Sequence, residues 1–165
     1  MQPKFDQEDL LDAILEIMTT KLNARIAAVE AEKVAKGKGL TPTLATVASN
    51  AYFLQTWSNA ILNRSPAIFY GVEEVSAQDG GSIAAKTYKI FCEIVVLDDG
   101  MRNDTHRRIA RYSRALEEIF SEAFGSIESS SRIKIETVRP ISFKLELDSS
   151  EEIKVGGVSL QISLA

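Results

Sequence analysis

Only one cysteine and one histidine occur among the 165 residues. With Cys92 alone, no intrachain disulfide framework can form, and a reducing compartment is expected. Cys92 sits inside an apolar run, where a small buried hydrophobe is the expected role. A thiol nucleophile or a metal ligand would depend on that single histidine, His106. Long apolar runs are missing too. None approaches the roughly twenty residues of a membrane span. The start, MQPKFDQEDLLDAILEIM, is acidic and lacks the basic end, apolar block and cleavage site of a signal peptide. The expectation is a chain made in the cytosol with no membrane partner. A basic surplus is also absent: net charge is -4, which argues against direct sequence-specific binding of nucleic acid. No internal repeat or low-complexity segment is present. Hydrophobic residues at 45% and charged residues at 25% suit one globular domain over 1–165, with a helical region at 1–40 and a sheet-and-helix core at 41–165.

What is present reads as alternating helix and strand. Leu10, Leu11, Ile14, Leu15, Met18, Leu22, Ile26 and Val29 recur at three- and four-residue steps. That spacing predicts one amphipathic helix from Asp6 to Val34, with Asp6 as its cap and Glu8 and Asp9 at the positive end of its dipole. Gly37, Gly39 and Pro42 end it, and the lysines around them read as a solvated terminus. From Thr41 to Phe69 the pattern is mixed. A short extended piece is expected before Asn50, then an irregular or helical turn to Asn63, with Trp57 as a core or interface anchor. A strand is expected after Pro66, then a loop, VSAQDGGSIAAK. KTYKIFCEIVVL is apolar on both faces, as a central strand is.

The stretch LDDGMRNDTHRRIARYSRALEEIF concentrates acid and base around His106. A calcium loop fails here because its aspartates are adjacent and its glycine comes third. Zinc lacks a histidine or cysteine partner nearby in sequence. A tight turn at Asp98-Asp99-Gly100 and an N-cap at Asp104 fit instead. The following helix has an apolar stripe of Ile109, Tyr112, Leu116, Ile119 and Ala123. Arg107, Arg111 and Arg114 form a second stripe, expected on a solvated or subunit-facing surface. Glu117 and Glu118 close the polar side.

After a polar linker, RIKIETVRPISFKLELD keeps its apolar residues at odd positions, as one half-buried strand or a pair bent near Pro140. DSSEE is a candidate hairpin turn. In the last strand, Ile153 and Val155 are odd while Val158, Leu160, Ile162 and Leu164 are even. That slip predicts a bulge or bend at Gly156-Gly157. A phosphate loop is not expected there, since no Gly-rich signature with a following Lys-Ser/Thr is present. The expected class is α+β: a mixed, mostly antiparallel sheet, a long N-terminal helix, a second helix packed on the sheet, and a C-terminal β-hairpin.

With these elements in place, NAYFLQTWSNAILNRSPAIFYGVEEV, RYSRALEEIF and VGGVSLQISLA resemble the tail terminator, or tail-completion, proteins of tailed bacteriophages. The likeness runs from about Asn50 to the end and extends to element order. It implies a virion protein of the tail or neck, made in the host cytoplasm. Such a protein forms a homohexameric ring that caps the tail tube, stops its polymerisation and offers a face to the head-tail connector. The implied partners are further copies of the chain, tube protein, connector or neck protein, and sheath protein. No catalysis, cofactor or metal is implied. Within that frame, Arg107, Arg111 or Arg114 is expected to pair with Glu73, Glu74 or Asp98 across a subunit boundary. The loop with Asp79, Gly80 and Gly81 at its tip is expected to make an axial contact. The competing readings are another neck protein, such as a connector or stopper, and a small hydrolase using His106 with Asp98, Asp99 or Asp104.

Overall fold

The computed structural model describes residues 6–55, 65–77, 86–97, 102–123, 133–141, 144–147 and 152–164. In chain order they form α1 (Gln7–Ala35), β1 (Tyr52–Leu54), β2 (Ala67–Ala77), β3 (Lys86–Leu97), α2 (Arg102–Glu122), β4 (Ile133–Pro140), β5 (Lys144–Leu147) and β6 (Glu152–Leu164). The strands make one sheet in the order β1-β2-β3-β6-β4, with β5 also on β6. β1 runs parallel to β2, and the other described pairs are antiparallel. The fold is therefore α+β with a mixed, mostly antiparallel sheet, as the sequence predicts.

α1 begins at its predicted cap. The Asp6 carboxylate accepts from the backbone N–H groups of Glu8 at 2.8 Å and Asp9 at 3.1 Å, and Asp9 accepts from the Asp6 N–H at 2.9 Å. This reciprocal arrangement satisfies donors that a helix start leaves orphaned, and such a cap contributes about 1 kcal/mol. The helix ends at Ala35, and Gly37 turns the chain away at φ 70°. α2 lies on β6, β3 and β4, and α1 packs on α2. Ile109, Tyr112, Leu116 and Ile119 of α2 are buried as predicted, joined by Ala115 and Phe120. The helix starts at Arg102, so Asp104 stands in the first turn rather than at the cap.

β3 is central, between β2 and β6. Its even-numbered face is buried at Tyr88, Ile90, Cys92, Ile94 and Val96. On β6 the residues in register with Tyr88, Ile90 and Cys92 are Ile162, Leu160 and Val158, all buried as well. The helices cover this face. The odd-numbered face changes character along the strand. At one end Ala67, Phe69, Val95, Ile153 and Val155 are buried, and Phe53 stacks on Phe69 with ring centroids 5.1 Å apart. At the other end the same face carries Glu74, Ser76, Thr87, Lys89 and Gln161.

This two-sided burial corrects the reading of the last strand. β6 pairs with β3 without a register shift from Lys86↔Leu164 to Leu97↔Ile153. No residue is inserted at Gly156-Gly157. The parity changes because Ile153 and Val155 fill the far face, whereas Val158, Leu160 and Ile162 fill the helix face. Gly157 is needed for another reason: its φ is 137°, and a Cβ there would lie 2.1 Å from the Cys92 carbonyl oxygen. The irregularities fall on the facing edge instead. Glu136 is skipped between Ile135↔Ile162 and Thr137↔Gln161. Between Pro140↔Val158 and Lys144↔Val155 the edge chain again has one residue more than β6. So β4 and β5 lie along the same edge of β6, and the inward positions are not all odd: Val138, opposite Leu160, shares the face of Ile133 and Ile135.

Two boundaries also differ from expectation. The extended piece comes after Asn50, as β1, and not before it. Val75, Ser76 and Ala77, read as loop, continue β2 opposite Tyr88, Thr87 and Lys86. Trp57, the turn to Asn63 beyond Gln55, and the DSSEE turn from Asp148 to Glu151 lie outside the described residues.

Candidate functional site

The arginine stripe is real as a helical stripe, but most of it is spent inside the subunit. Arg111 is buried, and its guanidinium donates to the buried Glu30 carboxylate at 2.7 Å and to the Lys38 carbonyl. Arg114 donates to Glu32 at 2.5 Å and to Glu118 at 2.7 Å. Arg25 of α1 reaches Glu118 at 3.3 Å and also pairs with Glu122. The expectation that Arg111 lies on a solvated or subunit-facing surface is therefore corrected. It faces α1 because α2's second stripe lies against that helix, and the Glu30 charge is what makes such burial tolerable. Hydrogen bonds from Arg114, then from Lys36, hold the Glu32 carboxyl at about 2, below the usual carboxylate range.

The same helix ties down the chain that follows α1. Arg108 donates to the Pro42 carbonyl at 2.5 Å and the Thr43 carbonyl at 3.4 Å. The Tyr112 hydroxyl donates to the Ala45 carbonyl at 2.8 Å, and burial pushes its phenol up to about 12, so the donor proton is retained. Asn23 of α1 closes the segment, accepting from the Val47 N–H at 2.9 Å and donating to the Val47 carbonyl at 3.0 Å. A connection without regular structure thus has its backbone groups satisfied by side chains from two helices.

Arg107 is the exposed member of the stripe. Its side chain is 69% exposed, and Asp104 stands one turn away at 3.9 Å. Such a surface contact contributes little. His106 is exposed beside it. Glu73 and Glu74 lie on the outer half of β2, where Glu73 sits at a register shift and pairs with Lys89 at 3.1 Å. The structure does not bring them to the arginines of the same chain. Asp79, Gly80, Gly81, Asp98 and Asp99 lie outside the described residues. Among the described residues, no cluster of three His, Cys, Asp or Glu side chains is placed to hold a metal ion. Cys92 is buried, and burial pushes its thiol up, so it stays protonated as a packing residue.

The polar end of the odd-numbered sheet face carries a broad depression of about 690 Å³. Phe91, Pro140 and Ile141 give it apolar surface, and Glu73, Lys89 and Arg139 give it charge. Phe91 leans over Gly71, where a Cβ would meet its ring at 3.1 Å. Sequence reasoning missed this depression because its residues come from β2, β3, β4 and β6, and only the register gathers them.

A scan against protein-family models and a search of curated proteins return no match for this chain. No described helix is long and apolar enough to cross a membrane.

Proposed function

We propose that the chain is a structural virion protein, a tail terminator whose ring caps the tail tube, stops its growth and presents the head-tail joining surface. The reading rests on the resemblance of residues from about Asn50 onward. The structural observation that supports it best is how the charges are used. Ion pairs bind α1 to α2, and hydrogen bonds from both helices to backbone groups hold the 38–47 segment against them on one side of the sheet. The other side offers an open, mixed-charge depression. A rigid block with contact surfaces suits a component that is placed in an assembly. Around a ring the contacts are heterologous, each subunit meeting the next head to tail. β2 and β3 stay paired up to Ala77 and Lys86, so the connection that carries Asp79, Gly80 and Gly81 is anchored at its root for an axial contact with tube or connector.

Fractionation of virion precursors tests the role. A terminator travels with free tails, bound at the tube end. Recovery with tailless heads instead replaces this reading by that of a connector or stopper.

A further inference from the structure

The helical layer is charged oppositely at its two ends. Arg25 faces Glu118 and Glu122, Glu30 faces Arg111, and Glu32 faces Arg114, so α1 and α2 run antiparallel. The first turns of α2 therefore lie beside the last turn of α1. That end carries Lys33, Lys36 and Lys38 at the tail of α1 and Arg107 and Arg108 in the second turn of α2, with Arg108 donating to the Pro42 and Thr43 carbonyls and Val34 left 53% exposed. The opposite end carries Glu8, Asp12 and Glu16 on exposed positions of α1. Asp6, Glu8, Leu11, Asp12 and Leu54 line an open depression of about 510 Å³, and Leu54 is 56% exposed. Among the described residues, no ion pair reaches Asp12 or Glu16.

These ends cannot neutralise each other within one subunit. Arg107 is one turn beyond Arg111, level with about residue 34 of α1, and Asp12 and Glu8 are then roughly 30–40 Å away along the helix axis. Screening over about 8 Å at physiological salt leaves no useful attraction at that range. Each end has an exposed apolar side chain; among the described residues Lys33, Lys36, Lys38, Arg107 and Arg108 outnumber Glu32 and Asp104 at one end, whereas Asp6, Glu8 and Asp12 surround Leu54 at the other. That is the anatomy of the two halves of one interface.

We propose that the basic end around Val34 docks into the acidic depression around Leu54 of a second copy of this chain. The contact is heterologous, and it closes a ring when the rotation between neighbours divides a full turn. This inference rests on the ring reading only in taking the partner to be another copy. It assigns Arg107 to carboxylates of α1 rather than to Glu73, Glu74 or Asp98.

The test uses the full chain, native mass measurement and sedimentation. One variant carries Asp12→Lys with Glu16→Lys, the other Arg107→Glu with Lys38→Glu; all four positions are exposed. The unaltered chain is expected to associate, with affinity falling roughly ten-fold or more between about 50 mM and about 500 mM salt. Each variant alone, with an unchanged far-ultraviolet spectrum, loses association at low salt. An equimolar mixture regains it, because each variant then meets its complement. Association of both variants as tightly as the unaltered chain overturns the proposal. So does a mixture no better than its components, or an unaltered chain that stays monomeric at all concentrations. Tails of normal length made by either variant with unchanged assembly would remove this contact and leave the terminator role standing.

Discussion

Replacing Gly157 by alanine adds one methyl group at the most tightly closed point of the sheet. The new Cβ would lie 2.1 Å from the Cys92 carbonyl oxygen and 2.9 Å from the Glu93 Cα. The first distance is roughly 1 Å shorter than any real contact of this kind. Both obstacles are backbone atoms of β3, which is held on its two sides by β2 and β6 and cannot swing aside as a side chain would. The φ of 137° is a further obstacle, since an L-residue rarely adopts it. Backbone strain of this kind costs about 1–3 kcal/mol and overpacking about 1–3 kcal/mol, giving roughly 2–6 kcal/mol together. For a domain of this size, that lowers the melting temperature by roughly 4–24 °C. Gly71→Ala is the control, because its Cβ would meet only the Phe91 ring at 3.1 Å. Thermal unfolding followed by circular dichroism reads both. If Gly157→Ala melts within about 2 °C of the unaltered protein, the close approach of β6 to β3 is not as described.

Arg111→Met should destabilise by about 3–5 kcal/mol in urea unfolding, because the buried Glu30 carboxylate is left unpaired, and adding Glu30→Leu should recover most of the loss. A cost below about 1 kcal/mol for the single change would refute the buried pair. Glu32 has a folded value of about 2 against 4.5 for the ordinary group. A depressed value means stability present above the unfolded pKa and lost as the pH falls from 4.5 toward 2. The side chain is exposed, so the clearer readout is its carboxyl resonance by NMR. It should titrate near 2 in the unaltered protein and move upward in Arg114→Gln; an upper value in both would show that Arg114 does not hold it.

What could be read beforehand was local chemistry. The Asp6 cap and the end of α1 at Gly37 depend on groups a few residues apart, and both fall where the spacing puts them. β3 declares its central place by being apolar on both faces. The misreadings share one origin, which is that a face has meaning only against its partner. Arg107, Arg111 and Arg114 lie on one side of a helix, but Glu30 on α1 decides that Arg111 is buried, and Glu32 that Arg114 is paired within the subunit. Those two glutamates look like ordinary polar positions near a helix end. The Gly156-Gly157 slip has the same cause: alternation cannot distinguish an inserted residue from a change of buried face. Only pairing with β3 shows that the register is continuous. The β4 bulge at Glu136 was hidden for the converse reason, since the second extra residue, before Lys144, restores the odd-numbered pattern in the sequence.

Tail length is the most direct measure of the proposed role. Tails assembled with and without this protein are imaged by electron microscopy, and native mass gives the state of the purified chain. The account predicts tubes of one length ending in a ring when the protein is present, overlong or headless tails when it is absent, and an assembly of six times the 18.1 kDa subunit mass. Tails of normal length that join heads without the protein, together with a strict monomer even beside tube protein, would contradict it.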